Sequence, residues 1–222
     1  MSTYAELIAN AERRLRAYGG LTWDSTEIGA EINAGYQEFC RITHILRDTA
    51  TVTVAANDAL YAMPTVTGVA KILRIWRAEW DGRVLEVVKT YDMDRASGGS
   101  WRTATGSTLM YVMTDAEDPA QIRVHPMIES ASYIGSLVLN IDYSYLPSAM
   151  TSGSPAIPEQ YHPALEWWAV AQLQELPVKA NQRPAMGDRA SMHWNRYVGS
   201  AKAEVMEGLM HNYDTHVFPP AI

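Results

Sequence analysis

The sequence predicts an α+β protein: a helical bundle of two N-terminal and two C-terminal helices, with an antiparallel β domain inserted between the pairs. Three observations carry this. Residues 3–44 repeat their apolar positions at helical spacing, residues 49–147 alternate with period two, and the helical period returns at residue 157. Helices at both ends that lack enough partners locally must find them in each other, which makes the β region an insertion.

Thr3 and Glu6 have the spacing of a capping box, in which a hydroxyl and a carboxylate satisfy helix-start N–H groups reciprocally. Tyr4, Leu7, Ile8, Ala11, Leu15 and Tyr18 follow on one face as far as Gly19 and Gly20. Asp24 and Glu27 repeat the box, and Ile28, Ile32, Tyr36 and Phe39 line a second helix that ends near His44. Residues 51–54 and 60–63, around Asn57 and Asp58, predict a small hairpin stopped by Pro64. Residues 69–80 predict a long strand with Ile72, Trp76, Ala78 and Trp80 on one face; Asp81-Gly82 then turns it back into 83–88. Residues 90–94 predict a single helical turn, and residues 97–106 have the composition of a projecting loop. Strands at 109–113, 121–125 and 136–145 complete the β region, the last with Leu137, Leu139, Ile141, Tyr143 and Tyr145 facing one way.

Residues 148–156 are small and read as a linker. Pro158 suits the first turn of a helix and Pro163 lies early enough to be tolerated; Leu165, Trp168, Ala169, Gln172 and Leu173 then share a face. Trp167 and Trp168 are adjacent, so one is expected inside and the other toward the β domain or a second subunit. After a polar connection, Asp188 caps a fourth helix carrying Trp194, Tyr197, Val198, Ala201, Val205 and Leu209. The last residues have no helical period and two prolines, which predicts an extended arm. The expected organisation is therefore a discontinuous helical domain (1–48 and 157–212), an inserted β domain (49–147), a linker (148–156) and a C-terminal arm (213–222).

With 222 residues and 47% hydrophobic composition the chain can bury a substantial core. Its net charge of −7 argues against a surface that grips phosphate. The single Cys40 cannot form an internal disulfide and reads as a small core residue. Residues 1–6 lack a basic segment followed by an apolar run, so no signal peptide is expected, and the longest apolar stretch is broken by Glu166. A protein soluble and intracellular when made, with no membrane partner, is the expectation. Seven Trp and twelve Tyr against two Phe fit either surfaces that meet other surfaces or a β core filled by Trp.

No motif assigns a catalytic, cofactor-binding or metal-binding residue. His162 has no second ligand at helical spacing, His211 and His216 lie near the C-terminal end, and His125 precedes Pro126 as a strand-end residue. Residues 97–100 are not followed by the Lys-Ser/Thr helix start of a phosphate loop. Asp92 and Asp94, and the group Asp115, Glu117 and Asp118, are spread as solvated loop carboxylates are. Cys40 with His44 one helical turn away reads as packing.

Five short segments, in this order, carry a resemblance: Thr22-Trp23-Asp24 with Ile32-Asn33-Ala34-Gly35-Tyr36-Gln37-Glu38-Phe39; Leu60-Tyr61-Ala62-Met63-Pro64; Ile122-Arg123-Val124-His125-Pro126; Ile141-Asp142-Tyr143-Ser144-Tyr145-Leu146-Pro147; and Ile157-Pro158-Glu159-Gln160-Tyr161-His162. The chain resembles the head-to-tail adaptor proteins of short-tailed bacteriophages, the group that includes tail tubular protein A, across nearly its whole length. The resemblance implies a structural virion protein, without enzymatic activity or cofactor. It implies a ring of twelve copies at the head-tail junction, assembled in the host cytoplasm, that binds the portal protein on one side and the tail nozzle protein on the other. DNA would pass through the channel as non-specific cargo. On this reading the helical domain supplies ring contacts and faces the channel, the arm docks into the portal through Tyr213, His216, Phe218 and Ile222, and β loops carrying Trp101 and Arg102 reach the tail side or neighbouring copies. Trp167 is then an assembly residue. Two other readings stand beside it: a carbohydrate- or peptide-binding β module that uses Trp80 and Trp101 as exposed stacking platforms, and a hydrolase whose site escapes the sequence.

Overall fold

In the computed structural model of the chain, the described residues are 2–19, 23–63, 67–97, 99–114, 121–130, 132, 138–175 and 185–214. The elements begin with α1 (Tyr4–Gly19), α2 (Ser25–Thr43), β1 (Arg47–Thr53), β2 (Leu60–Ala62), β3 (Val69–Trp80), β4 (Arg83–Lys89) and α3 (Thr90–Ser97). After a 3-10 turn (Ser100–Thr103) come β5 (Thr105–Gly106), β6 (Tyr111–Thr114), β7 (Gln121–His125), β8 (Met127–Ile128) and β9 (Val138–Pro147). A second 3-10 turn (Glu159–Tyr161) leads into α4 (His162–Glu175), and α5 (Ala185–Asp214) follows. The chain divides into two units: Met1–Leu46 with Pro147–Ile222, and Arg47–Leu146.

The helical unit begins with two capped helices. The Thr3 backbone N–H donates to Glu6 Oε2 at 2.8 Å and the Glu6 N–H to Thr3 Oγ1 at 3.3 Å. Asp24 accepts from the Thr26 N–H at 3.0 Å, Glu27 reaches back to the Asp24 N–H at 3.2 Å, and α2 closes on His44 in the left-handed region. The Thr26 N–H holds the Asp24 carboxyl below its ordinary value. A folded-state value below the unfolded one gives stability that is complete above the unfolded value and is lost as pH falls through the folded one. Asp24→Ala is therefore expected to lower the thermal midpoint at neutral pH, with the gap to the unaltered protein narrowing below about pH 4 in melts across a pH series.

α4 touches α1, α2 and α5. Ala164, Leu165, Glu166, Trp167, Ala169, Val170, Ala171 and Leu173 are all buried, the pattern of a helix enclosed on every side rather than one with a single apolar face. Both of its tryptophans have ring partners within the helical unit, Trp167 buried and Trp168 half-buried. The Trp167 ring stacks on His193 (α5) and carries the Arg14 guanidinium (α1), while Trp168 packs against Trp194 (α5) and over Gly35 (α2). Residues 148–156, expected as a linker, are bonded to the first two helices. Met150 exchanges hydrogen bonds with Asn33 at 2.7 and 3.0 Å, the Tyr4 N–H donates to the Gly153 carbonyl, and the Ala156 N–H donates to the Tyr36 hydroxyl at 2.9 Å.

The other unit is built on a seven-stranded sheet in the order β1-β9-β3-β4-β6-β7-β2, with β5 and β8 as a separate pair. Its core gathers Val52, Ile72, Ile75, Trp80, Val112, Ile122, Leu139, Ile141 and Tyr143. The β3–β4 hairpin turns at Asp81 and Gly82, both at positive φ, as expected.

Four expectations differ. β1 does not pair with β2: it takes seven register partners along β9, where β2 offers only three residues, and β2 instead closes the far edge against β7. The sheet is mixed rather than antiparallel, because α3 and the turn after it carry the chain across so that β6 runs parallel to β4; β5 and β8 are also parallel. In β3 the buried residues are Ile72, Ile75, Ala78 and Trp80, and Trp76 is only half-buried. The projecting loop at 97–106 is instead largely a 3-10 turn and β5. Leu137 lies outside the described residues.

Candidate functional site

Three of the clusters that polar and aromatic side chains form among the described residues are built around a tryptophan. In the helical unit, the Glu166 carboxylate is 3% exposed and accepts from Arg14 Nε at 2.9 Å and from Asn10 Nδ2 at 2.9 Å; a second Arg14 nitrogen lies at 2.8 Å. The same guanidinium sits 4.3 Å from the centroid of Trp167, and His193 is parallel to that indole at 4.5 Å. Trp167, 9% exposed, is thus a structural ring within one chain, and its truncation is expected to act on folding first.

In the β unit, α3 and the first 3-10 turn bring Trp101 and Arg102 together on one carboxylate. Asp94 accepts from Trp101 Nε1 at 3.0 Å and from Arg102 at 2.6 Å. Those bonds, Arg102's first, hold the Asp94 carboxyl below the usual range, although the pair lies at the surface. Trp101 is 4% exposed and Trp80 3%, so neither is a stacking platform. That removes the residues on which the carbohydrate- or peptide-binding reading stood.

The third cluster has Trp76 at its centre, with the Arg74 guanidinium 4.3 Å and the Arg47 guanidinium 5.0 Å from the ring centroid. Nothing in the sequence pointed to it, because alternation had placed Trp76 on the core face.

Cys40 is fully buried, and burial pushes its thiol far above the ordinary range, the opposite of an activated nucleophile. His162 is buried, with Nε2 3.1 Å from the Ile157 carbonyl. Among the described residues no group of three or more His, Cys, Asp and Glu could hold a metal ion, and no helix is long and apolar enough to cross a membrane. Tyr213 is in the last turn of α5, while His216, Phe218 and Ile222 lie outside the described residues.

Together these features define a two-unit α+β protein whose polar clusters fix packing: an ion pair on the buried Glu166, capped helices and cation-aromatic stacks. No curated protein matches the chain. The family model described as SU10 adaptor protein matches residues 2–215, and the chain belongs to that family. It is a structural adaptor of bacteriophage, which bears out the resemblance carried by the five sequence segments.

Proposed function

We propose that the chain is a head-to-tail adaptor: twelve copies form a ring between the portal protein and the tail nozzle protein, and DNA passes through its channel. The family match over residues 2–215 carries this reading. The net charge of −7 supports it, since an acidic channel wall lets a polyanion slide without being retained. Ring closure requires a head-to-tail contact between two different patches of each copy. In this arrangement the helical domain supplies ring contacts, and the arm from Tyr213 docks into the portal. Subunits assemble in the host cytoplasm and end at the head-tail junction of the virion.

Electron micrographs of the protein mixed with its portal test the reading; dodecameric rings capping the portal are the expected result. Deleting residues 213–222 is expected to leave a chain with an unchanged thermal midpoint that no longer joins the portal. Portal binding retained by that truncation would remove the arm from the mechanism.

A further inference from the structure

Lys71, Arg74, Trp76 and Arg77 lie on β3 beside the core residues Ile72, Ile75 and Ala78. Lys71 and Arg74 are exposed; Trp76 and Arg77 are half-buried. Arg77 is neutralised by Glu79 and lies 3.8 Å from Asp142. Lys71 and Arg74 have no acidic partner among the described residues, and in a chain of net charge −7 two such cations on one strand need a reason. Arg74 is also held over an indole that Arg47 shares. Guanidinium groups already over that ring leave it a poor platform for a base or a sugar, and they fix the charge in place. Arg and Trp are the residue types that concentrate at protein contacts.

The complementary feature is on α2. Away from its buried face run Glu27, Glu31, Ala34 and Glu38, at helical spacing. Glu38 is bonded to Arg41 and Glu27 serves the cap. Glu31 has no ion pair among the described residues, lies beyond the first turn where the helix dipole favours an acid, and stands one turn from Glu27, where like charges destabilise. Cations brought by another molecule would relieve that repulsion. We infer that the Lys71–Arg74 face of β3 docks on the Glu27–Glu31 face of α2 in a second copy of this chain. The inference rests on the ring reading and supplies the two unlike patches that a closing ring needs.

The test is a charge-reversal cycle on the full-length chain, read as ring formation on the portal at low salt, with thermal midpoints measured alongside. Lys71→Glu/Arg74→Glu, and separately Glu27→Gln/Glu31→Lys, are each expected to raise the concentration needed for rings by about tenfold or more. Glu27→Gln keeps the capping acceptor. The quadruple variant, and an equimolar mixture of the two double variants, are expected to recover most of the loss. If Arg74→Glu lowers the midpoint, Lys71→Glu against Glu31→Lys repeats the cycle with the Trp76 stack intact. Double variants that form rings like the unaltered chain overturn the contact, as does a quadruple variant with a normal midpoint and no recovery. Loss of binding to a labelled DNA duplex by Lys71→Glu/Arg74→Glu, with ring formation unchanged, would assign the row to DNA and also overturn it. An unaltered chain that stays monomeric on the portal overturns the ring reading and the contact together, whereas rings that ignore the charge changes overturn the contact alone.

Discussion

Arg14→Ala is expected to destabilise the protein by about 3 kcal/mol, the low end of the range for removing one partner of a buried ion pair. Glu166 is almost fully enclosed in the helical unit, and without Arg14 it keeps only the Asn10 amide as a donor among the bonds described. The Arg14 side chain is one-third exposed, at 34%, so water screens part of the pair and the low end applies. Loss of the guanidinium over Trp167 adds to the effect. Urea unfolding followed by tryptophan fluorescence gives the value. A loss below about 1 kcal/mol would mean that the pair behaves as a surface bridge. Arg14→Ala combined with Glu166→Leu is expected to recover much of the loss, because replacing both charges leaves no orphan.

Gly35→Ala is expected to destabilise by about 1–2 kcal/mol, although alanine is the better helix former by about 1 kcal/mol. A Cβ at position 35 would lie 2.6 Å from Trp168 Cδ1, 2.7 Å from Cγ and 3.0 Å from Cβ. The last of these is fixed by the α4 backbone and cannot rotate away, so α2 and α4 must separate, and overpacking of this kind costs about 1–3 kcal/mol. Gly199, in α5, has nothing within 4 Å of the same virtual atom. Gly199→Ala is therefore expected to stabilise, by up to about 1 kcal/mol, which gives two identical changes of opposite sign in one fold. Denaturant midpoints of the two variants decide it.

The parts of this fold that could be read from the sequence are those written in adjacent residues. Thr3 with Glu6, Asp24 with Glu27, and Asp81-Gly82 each fix a cap or turn within a few positions, and all three occur as expected. Pairings between distant residues were not readable. Val52 meets Leu139, and Arg14 meets Glu166, through sheet order and helix packing that no local pattern encodes. Glu166 illustrates the difficulty, since in sequence it interrupts an apolar run and in the fold it is the buried acceptor that ties α4 to α1. Trp76 shows the same for the candidate surface. Strict alternation put it in the core, but the buried positions of β3 step from Ile72 to Ile75 and then to Ala78, leaving Trp76 half-buried with its two arginines.

The position of α4 in the chain has a consequence for synthesis. It is the helix that α1, α2 and α5 all contact, yet it follows the entire β unit. At about 5–20 residues per second, a nascent chain carries α1 and α2 for on the order of ten seconds before α4 and the packed half of α5 leave the ribosome. During that interval Leu7, Ile28, Ile32 and Phe39 have no α4 or α5 to cover them, whereas the strands from residue 47 to 147 are already present. The helical unit therefore closes last. Subunits cut short by early termination would expose those apolar faces to chaperones and proteases, and translation itself would act as a checkpoint that admits only finished chains to particle assembly.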